Sequence, residues 1–200
     1  FWFRDEFRED SRGRYWNVGS ATITGGKYKI ITNWYHNQFR QADLKNIDLS
    51  ATFTPTLGTG TYYGYGLAFN IQDSHTTALP AATGKRYVVH TSSTGLSLVL
   101  CTPTAKTTLA SIVAPTPPTT GTHTIRVTTN DSGEIVVYYD GEVVITHTDL
   151  TYTHGYVGFA CGSTDGTGGY LEVDNLQFSG TRVYQKPIHR GAMLETYHDG

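Results

Sequence analysis

The sequence predicts an all-β protein, built as a two-sheet antiparallel β-sandwich with few or no helices. Residues 123–148, HTIRVTTNDSGEIVVYYDGEVVITHT, show the clearest pattern, because polar and apolar residues alternate there with the period of two that half-buried strands have. The composition agrees, since 14 Tyr, 8 Phe and 22 Gly among 200 residues favour strands and turns over helices. One sandwich domain commonly reaches this length.

Two tight turns divide residues 123–148 into three strands. Asn130-Asp131-Ser132-Gly133 supplies residues that tolerate positive φ and cap their own backbone. Asp140-Gly141 is the favoured pair for a two-residue type I′ hairpin. We therefore predict a three-stranded β-meander.

The N-terminal part contains three further strand patterns. Residues 3–7 alternate as a first strand, and residues 22–32 predict a hairpin that turns at Gly25-Gly26. Residues 39–55 predict a long strand that is interrupted near Lys45-Asn46. Three residues of this strand are expected to face inward: Leu49, Ala51 and Phe53.

Residues 61–73, TYYGYGLAFNIQD, predict a strand with two different faces. One face is apolar and contains Tyr63, Tyr65, Leu67, Phe69 and Ile71. The other face contains Tyr62, Gly64, Gly66, Ala68, Asn70 and Gln72. A face of Gly and Ala with polar ends predicts open space above the sheet.

The remaining elements complete the sandwich. We predict strands at residues 86–91, 95–101, 109–113, 157–161 and 170–178, with a rigid connector at 115–121 and a Gly-rich loop at 162–169. Residues 181–200 have no period of two. The predicted organisation is therefore a β-sandwich over residues 1–180 and a C-terminal extension over residues 181–200.

Several of these segments together resemble a known family. Residues 123–148, GYVGFACG and the closing LEVDNLQF look like the second half of a concanavalin A-like jelly roll. FRDEFRED, RYWNV and ATITGGKYKI resemble the opening of the same modules. The similarity spans residues 3–179, and the closest kin are laminin-G-like domains of lectins, carbohydrate-binding modules and phage tail proteins. It implies a jelly-roll fold and a sugar-binding or structural role.

The resemblance implies carbohydrate binding on the open face of residues 61–73, where the family often binds glycan. An aromatic ring beneath the apolar side of a sugar, with planar amide and guanidinium partners for its hydroxyls, is the required chemistry. The candidate residues are Tyr62, Asn70, Gln72, Arg86, His90 and Trp34. Each also has a structural interpretation, as cover for a sheet edge or as loop packing, so the prediction depends on the set.

Calcium is the one cofactor that the resemblance implies, because many related sugar-binding jelly rolls hold an ion where the first and last strands meet. Asp5 or Glu6, together with Asp174, would supply the hard oxygen ligands that Ca²⁺ prefers. The sequence has no D-x-D-x-D-G loop to support such a site. Two alternatives therefore stay open, a protein without a cofactor and a protein with one structural calcium ion.

The sequence offers no convincing catalytic site. The glucanases of this superfamily use a Glu-x-Asp-x-x-Glu strand, which is absent, and Glu172 and Asp174 are the one carboxylate pair at i and i+2 within a predicted strand. Asp174-Asn175 lies where the family has a structural Asp-Asn. There is also no G-x-S-x-G elbow, zinc spacing or phosphate loop. We therefore predict a protein that is not an enzyme.

Both ends of the chain contain apolar residues that favour self-association or contact with a neighbouring subunit, because exposed apolar clusters mark interaction sites. They are Phe1, Trp2, Phe3, Tyr184, Ile188, Met193, Leu194 and Tyr197. Packing of the C-terminal extension on its own sandwich is the alternative.

Charge and composition narrow the environment. A formal charge of −2 argues against nucleic acid as a partner, and no apolar run reaches the roughly 20 residues that membrane insertion requires. The Thr-rich, Lys-poor composition is typical of an extracellular or virion surface. Cys101 and Cys161 are predicted either as a disulfide or as two buried thiols, and Asn130 starts an N-glycosylation triplet at a turn.

Three functions remain open from the sequence. The first is a non-catalytic, lectin-like module for carbohydrate recognition or adhesion. The second is a structural subunit of a viral or extracellular assembly, such as a phage tail, a capsid decoration or a surface filament. The third is a glycan-cleaving enzyme with an unrecognised carboxylate pair.

Overall fold

The computed structural model describes residues 1–5, 21–30, 35–56, 64–72, 84–116, 118–161 and 169–183. Within these ranges the regular secondary structure consists of β-strands. The strands are β1 Trp2–Asp5, β2 Ala21–Thr24, β3 Lys27–Ile30, β4 Tyr35–Thr56, β5 Tyr65–Ile71, β6 Arg86–Thr91, β7 Gly95–Cys101, β8 Lys106–Val113, β9 His123–Thr129, β10 Glu134–Tyr139, β11 Glu142–Thr148, β12 Gly155–Cys161 and β13 Tyr170–Arg182. Within the described ranges, no helix has the length and apolar character to cross a membrane.

The strands form two antiparallel sheets that share the long strand β4. The first sheet has the order β11-β10-β9-β4-β13, and the far edge of β13 pairs with β1 and β3, with β2 beyond β3. The second sheet has the order β4-β12-β5-β6-β7-β8. Residues 35–44 of β4 pair with β12, whereas residues 44–56 pair with β13. The predicted two-sheet sandwich is confirmed.

Strand β4 passes from one sheet to the other near Leu44, which pairs both with Gly155 of β12 and with Arg182 of β13. Asn46 has a φ of 52°, in the left-handed region that Asn tolerates better than most residues. The backbone N–H of Ile47 donates to the Thr129 hydroxyl at 2.9 Å. The interruption predicted near Lys45-Asn46 is therefore present, as a local irregularity in a continuous strand.

The core lies between the two sheets and contains several aromatic pairs. Phe53 of β4 stacks on Tyr65 of β5, with their ring centroids 4.9 Å apart. The ring of Tyr28 meets that of Phe159 edge-on at 5.3 Å. Leu49, Ala51 and Phe53 are buried, as their alternation predicts. These contacts join the sheets mainly by apolar burial, and each ring pair adds about 1 kcal/mol.

The predicted meander is present as β9, β10 and β11, whose turn has positive φ at Asp140 and Gly141. The Asp140 carboxylate accepts hydrogen bonds from the His123 ring at 2.8 Å and from the Thr124 backbone at 2.8 Å. In the other turn, Asn130 is exposed and its Oδ1 accepts a hydrogen bond from the Ser132 hydroxyl at 2.7 Å. Glycosylation of Asn130 stays a prediction.

The two faces predicted for β5 need a correction. Tyr65, Leu67 and Phe69 belong to the main core as expected, but Asn70 has a φ of 49° and the pairing of β5 with β12 shifts register beside it. Ile71 therefore leaves the core face, and it packs in a second apolar cluster with Ala68. The other members of this cluster are Val88, Val99 and Cys101. The open space predicted above β5 is absent, because every residue of this strand is buried.

Strand β13 ends later than predicted, at Arg182, so the sandwich extends slightly beyond residue 180. Residues 184–200 lie outside the described ranges. The register also shows whether Cys101 and Cys161 are close enough to form a disulfide. Cys161 pairs with Tyr65 and Cys101 with Arg86, and the two cysteine-bearing strands are separated by β5 and β6. Three steps of about 4.8 Å between strands exceed the roughly 7 Å limit for a disulfide, so a disulfide between Cys101 and Cys161 is excluded, and Cys101 is buried.

Candidate functional site

The predicted sugar-binding residues that the structure describes do not share one exposed surface, because two of them, Asn70 and Arg86, are buried. Trp34 and Tyr62 lie outside the described ranges. Arg86 and His90 both project from the outer side of β6, opposite to the core residues Tyr87 and Val89. Arg86 is 0% exposed, so this guanidinium does not lie on an open face as the prediction requires. His90 is half-buried, and this burial lowers its pKa.

Asn70 and Gln72 hold a neighbouring segment of the chain. The Asn70 side-chain amide donates to the Tyr152 carbonyl at 2.6 Å, and the residue is 2% exposed. The Gln72 amide donates to the carbonyl of Asn70 at 3.2 Å and to the carbonyl of His154. Burial therefore contradicts a direct sugar contact by Asn70, whereas such contacts by Gln72 and His90 stay predictions.

A groove of about 450 Å³ lies on the outer face of the first sheet. It is lined by Trp2, Asp48, Arg126, Gln177, Phe178 and Ser179, and we call it the Trp2 groove. Four strands contribute to it, because Trp2 of β1 pairs with Ser179 of β13, which pairs with Asp48 of β4. In the next row, Ser50 of β4 pairs with both Gln177 and Arg126.

The floor of the Trp2 groove contains a two-pronged ion pair. Arg126 donates from Nε to one oxygen of Asp48 at 2.8 Å and from Nη2 to the other at 2.7 Å. The hydrogen bonds to Asp48 raise the pKa of Arg126. The guanidinium also lies over the ring of Tyr138, with 4.8 Å between its central carbon and the ring centroid. Arg126 is therefore held in plane by a carboxylate and on one face by an aromatic ring.

One wall of the Trp2 groove is an exposed indole. Trp2 is 67% exposed, although the rings before and after it pack on Phe178, with centroid distances of 5.9 Å for Phe1 and 5.0 Å for Phe3. The backbone N–H of Gly180 donates to the Phe1 carbonyl at 3.0 Å, which holds the start of β1 against β13. Of the three rings behind the assembly prediction, Phe3 is partly buried against the core, whereas Trp2 and Phe1, the latter 39% exposed, remain exposed. Self-association through the termini stays a prediction.

Most of the Trp2 groove was not predicted from the sequence. Trp2 was predicted as an assembly residue, and no role was predicted for Asp48, Arg126, Gln177 or Ser179. The alternation of β4 and β9 does indicate that Asp48 and Arg126 face away from the core. That they meet depends on the pairing of strands about 80 residues apart in sequence, which a local pattern does not reveal.

The two carboxylates considered for catalysis, Glu172 and Asp174, both form hydrogen bonds within the fold. Glu172 accepts a hydrogen bond from the Lys27 ammonium at 2.8 Å, and this bond, followed by the charges of Glu172 and Asp174, raises the pKa of Lys27. Asp174 accepts from the backbone N–H of Asn175 at 2.7 Å, where Asn175 has a φ of 49°. This arrangement agrees with the structural interpretation of the Asp-Asn pair, because its carboxylate stabilises an irregularity in β13.

The calcium prediction gains little from the described residues. The first and last strands do meet, since Asp5 pairs with Leu176, but Glu6 and the side chain of Asp5 lie outside what the structure describes. Lys27 forms an ion pair with Glu172 at 2.8 Å, two residues from Asp174. Among the described residues, no three His, Cys, Asp or Glu side chains are grouped to hold a metal ion. Calcium stays a prediction.

Solved structures with the same architecture are numerous, although no protein-family model and no curated protein matches the chain. The carbohydrate recognition domain of Emp46p, in its potassium-bound form, aligns with a TM-score of 0.71 and 12% identity, over 90% of this chain and 96% of that domain. Carbohydrate binding module CBM66 from Bacillus subtilis aligns with a TM-score of 0.62 and 14% identity, over 82% and 95%. Bacillus licheniformis beta-glucanase aligns with a TM-score of 0.65 and 13% identity, over 90% and 98%.

The chain has the concanavalin A-like jelly-roll fold. The resemblance stated from the sequence is thereby confirmed for the architecture. Because these three structures share 12–14% of their residues with this chain and include both binding domains and an enzyme, function has to be argued from the site.

Proposed function

We propose that this protein is a non-catalytic, lectin-like module for carbohydrate recognition, and that the Trp2 groove is its binding surface. The observation that supports this most is an exposed indole next to a guanidinium–carboxylate pair that is already fixed in position. A sugar offers an apolar C–H side and a rim of hydroxyls. The indole matches the first, and the planar polar groups match the second.

Hydrogen-bonding capacity remains in the Trp2 groove after its internal bonds are made. The guanidinium of Arg126 has five N–H donors, of which Asp48 takes two. The amide of Gln177 and the hydroxyl of Ser179 line the same cavity. Because Asp48 and Tyr138 already hold Arg126, ordering this long side chain costs little further entropy when a sugar binds.

The fold also supports carbohydrate recognition as the proposed function. Two of the aligned structures are described as a carbohydrate recognition domain and a carbohydrate binding module. Non-catalytic binding is favoured over glycan cleavage because Lys27 engages Glu172 and Asp174 supports the backbone of β13. An extracellular or virion-surface location, and a role in adhesion, belong to this proposal as well.

The test is a binding measurement on a panel of soluble oligosaccharides and polysaccharides by calorimetry. We expect Trp2→Ala to weaken binding about tenfold, since the loss of one stacking contact costs about 1.4 kcal/mol. Val113→Ala is the matched control, because Val113 is 81% exposed but lies on β8 of the second sheet. Binding that is unchanged by Trp2→Ala would rule out the Trp2 groove as the sugar site.

A second candidate function is a subunit of an extracellular or viral assembly. The exposure of Trp2 favours it, because a large exposed ring is typical of a contact surface between protein chains. Light scattering of the full chain and of Trp2→Ala separates the two functions. An oligomer that dissociates in the variant would make assembly the primary role, and a monomer in both forms leaves the groove to sugar.

A further inference from the structure

The electrostatics of the Trp2 groove indicate which class of sugar it takes. We infer that its ligand is an uncharged oligosaccharide of two or more residues, and that Asp48 excludes acidic sugars by neutralising Arg126. This inference rests on the proposed carbohydrate function, and it adds the charge and the size of the ligand.

Charge selection follows from the bonding of Arg126. The carboxylate of Asp48 takes two parallel N–H donors of the guanidinium, which is the geometry that a uronic acid carboxylate would need for itself. An acidic sugar has to displace Asp48 or lie beside its negative charge. A neutral sugar meets neither cost, because its hydroxyls accept hydrogen bonds from the remaining N–H donors.

Two other charged groups near the groove, Lys45 and Glu134, are bonded to residues outside its lining. Lys45, which lies three residues before Asp48 on β4, donates to Asp131 at 2.9 Å, so it also forms a neutral pair. Glu134 lies on β10, four residues before Tyr138, and it is exposed and accepts from the Asn130 amide at 3.1 Å. Arg182 lies near the groove but outside its lining, with 4.5 Å between its central carbon and the Phe1 ring centroid, so the charge selection depends on the pairing of Arg126 with Asp48.

Ligand length follows from the size and layout of the groove. Its volume of about 450 Å³ falls within the range of roughly 300–1,000 Å³ that encloses drug-sized ligands, a class that includes disaccharides. Trp2 and Arg126 lie on β1 and β9, which are three strand-to-strand steps apart, or about 14 Å. A ligand that contacts both the indole and the guanidinium spans the groove between these strands, which favours an oligosaccharide over a single sugar ring.

Tyr138 is a positioning residue in this scheme. It contacts the guanidinium of Arg126 on one face, and it does not line the cavity. Tyr138→Phe keeps the aromatic ring and is expected to bind normally, whereas Tyr138→Leu is expected to weaken neutral-sugar binding because Arg126 loses its support on one side.

The experiment compares neutral and uronic acid oligosaccharides of matched length, titrated into the full chain and into Asp48→Asn. We expect the full chain to prefer the neutral series at least tenfold and to bind disaccharides and longer chains more tightly than monosaccharides. In Asp48→Asn the freed guanidinium is expected to shift the preference toward the acidic series by tenfold or more. Thermal melting of both proteins checks that the variant is folded.

The outcomes separate the inference from the function on which it rests. Equal or tighter binding of acidic sugars by the full chain, with that binding still dependent on Trp2, would overturn the inference and leave the carbohydrate function in place. Monosaccharide binding as tight as that of longer chains would also overturn it. No binding of either series would overturn both. Because the first comparison uses the unaltered chain, it decides the matter even if Asp48→Asn fails to fold.

Discussion

Replacing Arg126 with Lys separates the contribution of this residue to sugar binding from its contribution to stability. The substitution keeps the positive charge and removes the planar fork, so the two parallel bonds to Asp48 and the contact with the Tyr138 ring are lost. The side chains of Arg126 and Asp48 are 44% and 43% exposed. Because both groups are well solvated, the ion pair contributes at most about 1 kcal/mol to the free energy of unfolding.

The expected loss of stability is therefore small. For a domain of this size, 1 kcal/mol corresponds to a fall in Tm of about 2–4 °C. Binding is expected to suffer more, since two hydrogen bonds between the guanidinium and the sugar at about 1 kcal/mol each amount to roughly a thirtyfold loss of affinity. Differential scanning calorimetry measures the first quantity, and titration with a neutral oligosaccharide measures the second.

Two results would refute this reasoning. A fall in Tm of 10 °C or more would show that the ion pair is a major part of the fold rather than a surface feature. An affinity for neutral sugar that is unchanged in Arg126→Lys would show that the fixed guanidinium does not contact the ligand. Lys45→Arg is the control, because it changes a nearby ion pair outside the groove lining.

Three further predictions concern the fold. Asn70→Ala is expected to lower the free energy of unfolding by about 2–3 kcal/mol, because it removes the hydrogen bond to Tyr152 and places Ala at positive φ. Urea titration measures this loss, and Asn70→Gly is expected to lose less, because Gly tolerates positive φ. Burial raises the pKa of Asp149, but hydrogen bonds, chiefly from Tyr87, outweigh burial and lower it. The ionised Asp149 therefore stabilises the fold above its unfolded pKa of about 3.9, and this stabilisation is lost as the pH falls through the lower folded pKa. Acid titration of Asp149→Asn should therefore show a weaker loss of stability at low pH, and an unchanged acid profile would contradict this. Phe53→Ala is expected to cost about 3–5 kcal/mol in chemical denaturation, and a cost below 1 kcal/mol would contradict its place in the stacked core.

The sequence predicts the elements whose structure depends on nearby residues. Asp140-Gly141 defines its hairpin because positive φ is a local property, and the inward residues of β4 follow from strand alternation alone. The positions of most other strands follow in the same way.

The faces of β5 were mispredicted because alternation assumes an uninterrupted strand. Asn70 adopts positive φ where β5 pairs with β12, and this irregularity moves Ile71 to the other side of the sheet. The partner strand begins more than 80 residues later, so residues 61–73 alone did not reveal it. Of the sugar-binding residues chosen on that face, Asn70 is buried, and its burial was not foreseen for the same reason.

The Trp2 groove was beyond a local prediction for a related cause. Its residues come from β1, β4, β9 and β13, and it exists only in the register that brings Trp2, Asp48 and Arg126 onto neighbouring strands. Alternation indicates which side of its own strand each residue occupies. Strand order and register are long-range properties of the folded sandwich.

The most direct measurement is a titration of the ¹⁵N-labelled chain with a neutral oligosaccharide, followed by NMR of the backbone amide, indole and guanidinium N–H signals. We expect the largest shifts at the Trp2 indole, the Arg126 side chain and the amide of Gln177, with small shifts at His90 and Gln72. Shifts concentrated along β6 around His90, with Trp2 and Arg126 unmoved, would contradict the Trp2 groove as the binding surface and return the site to the second sheet.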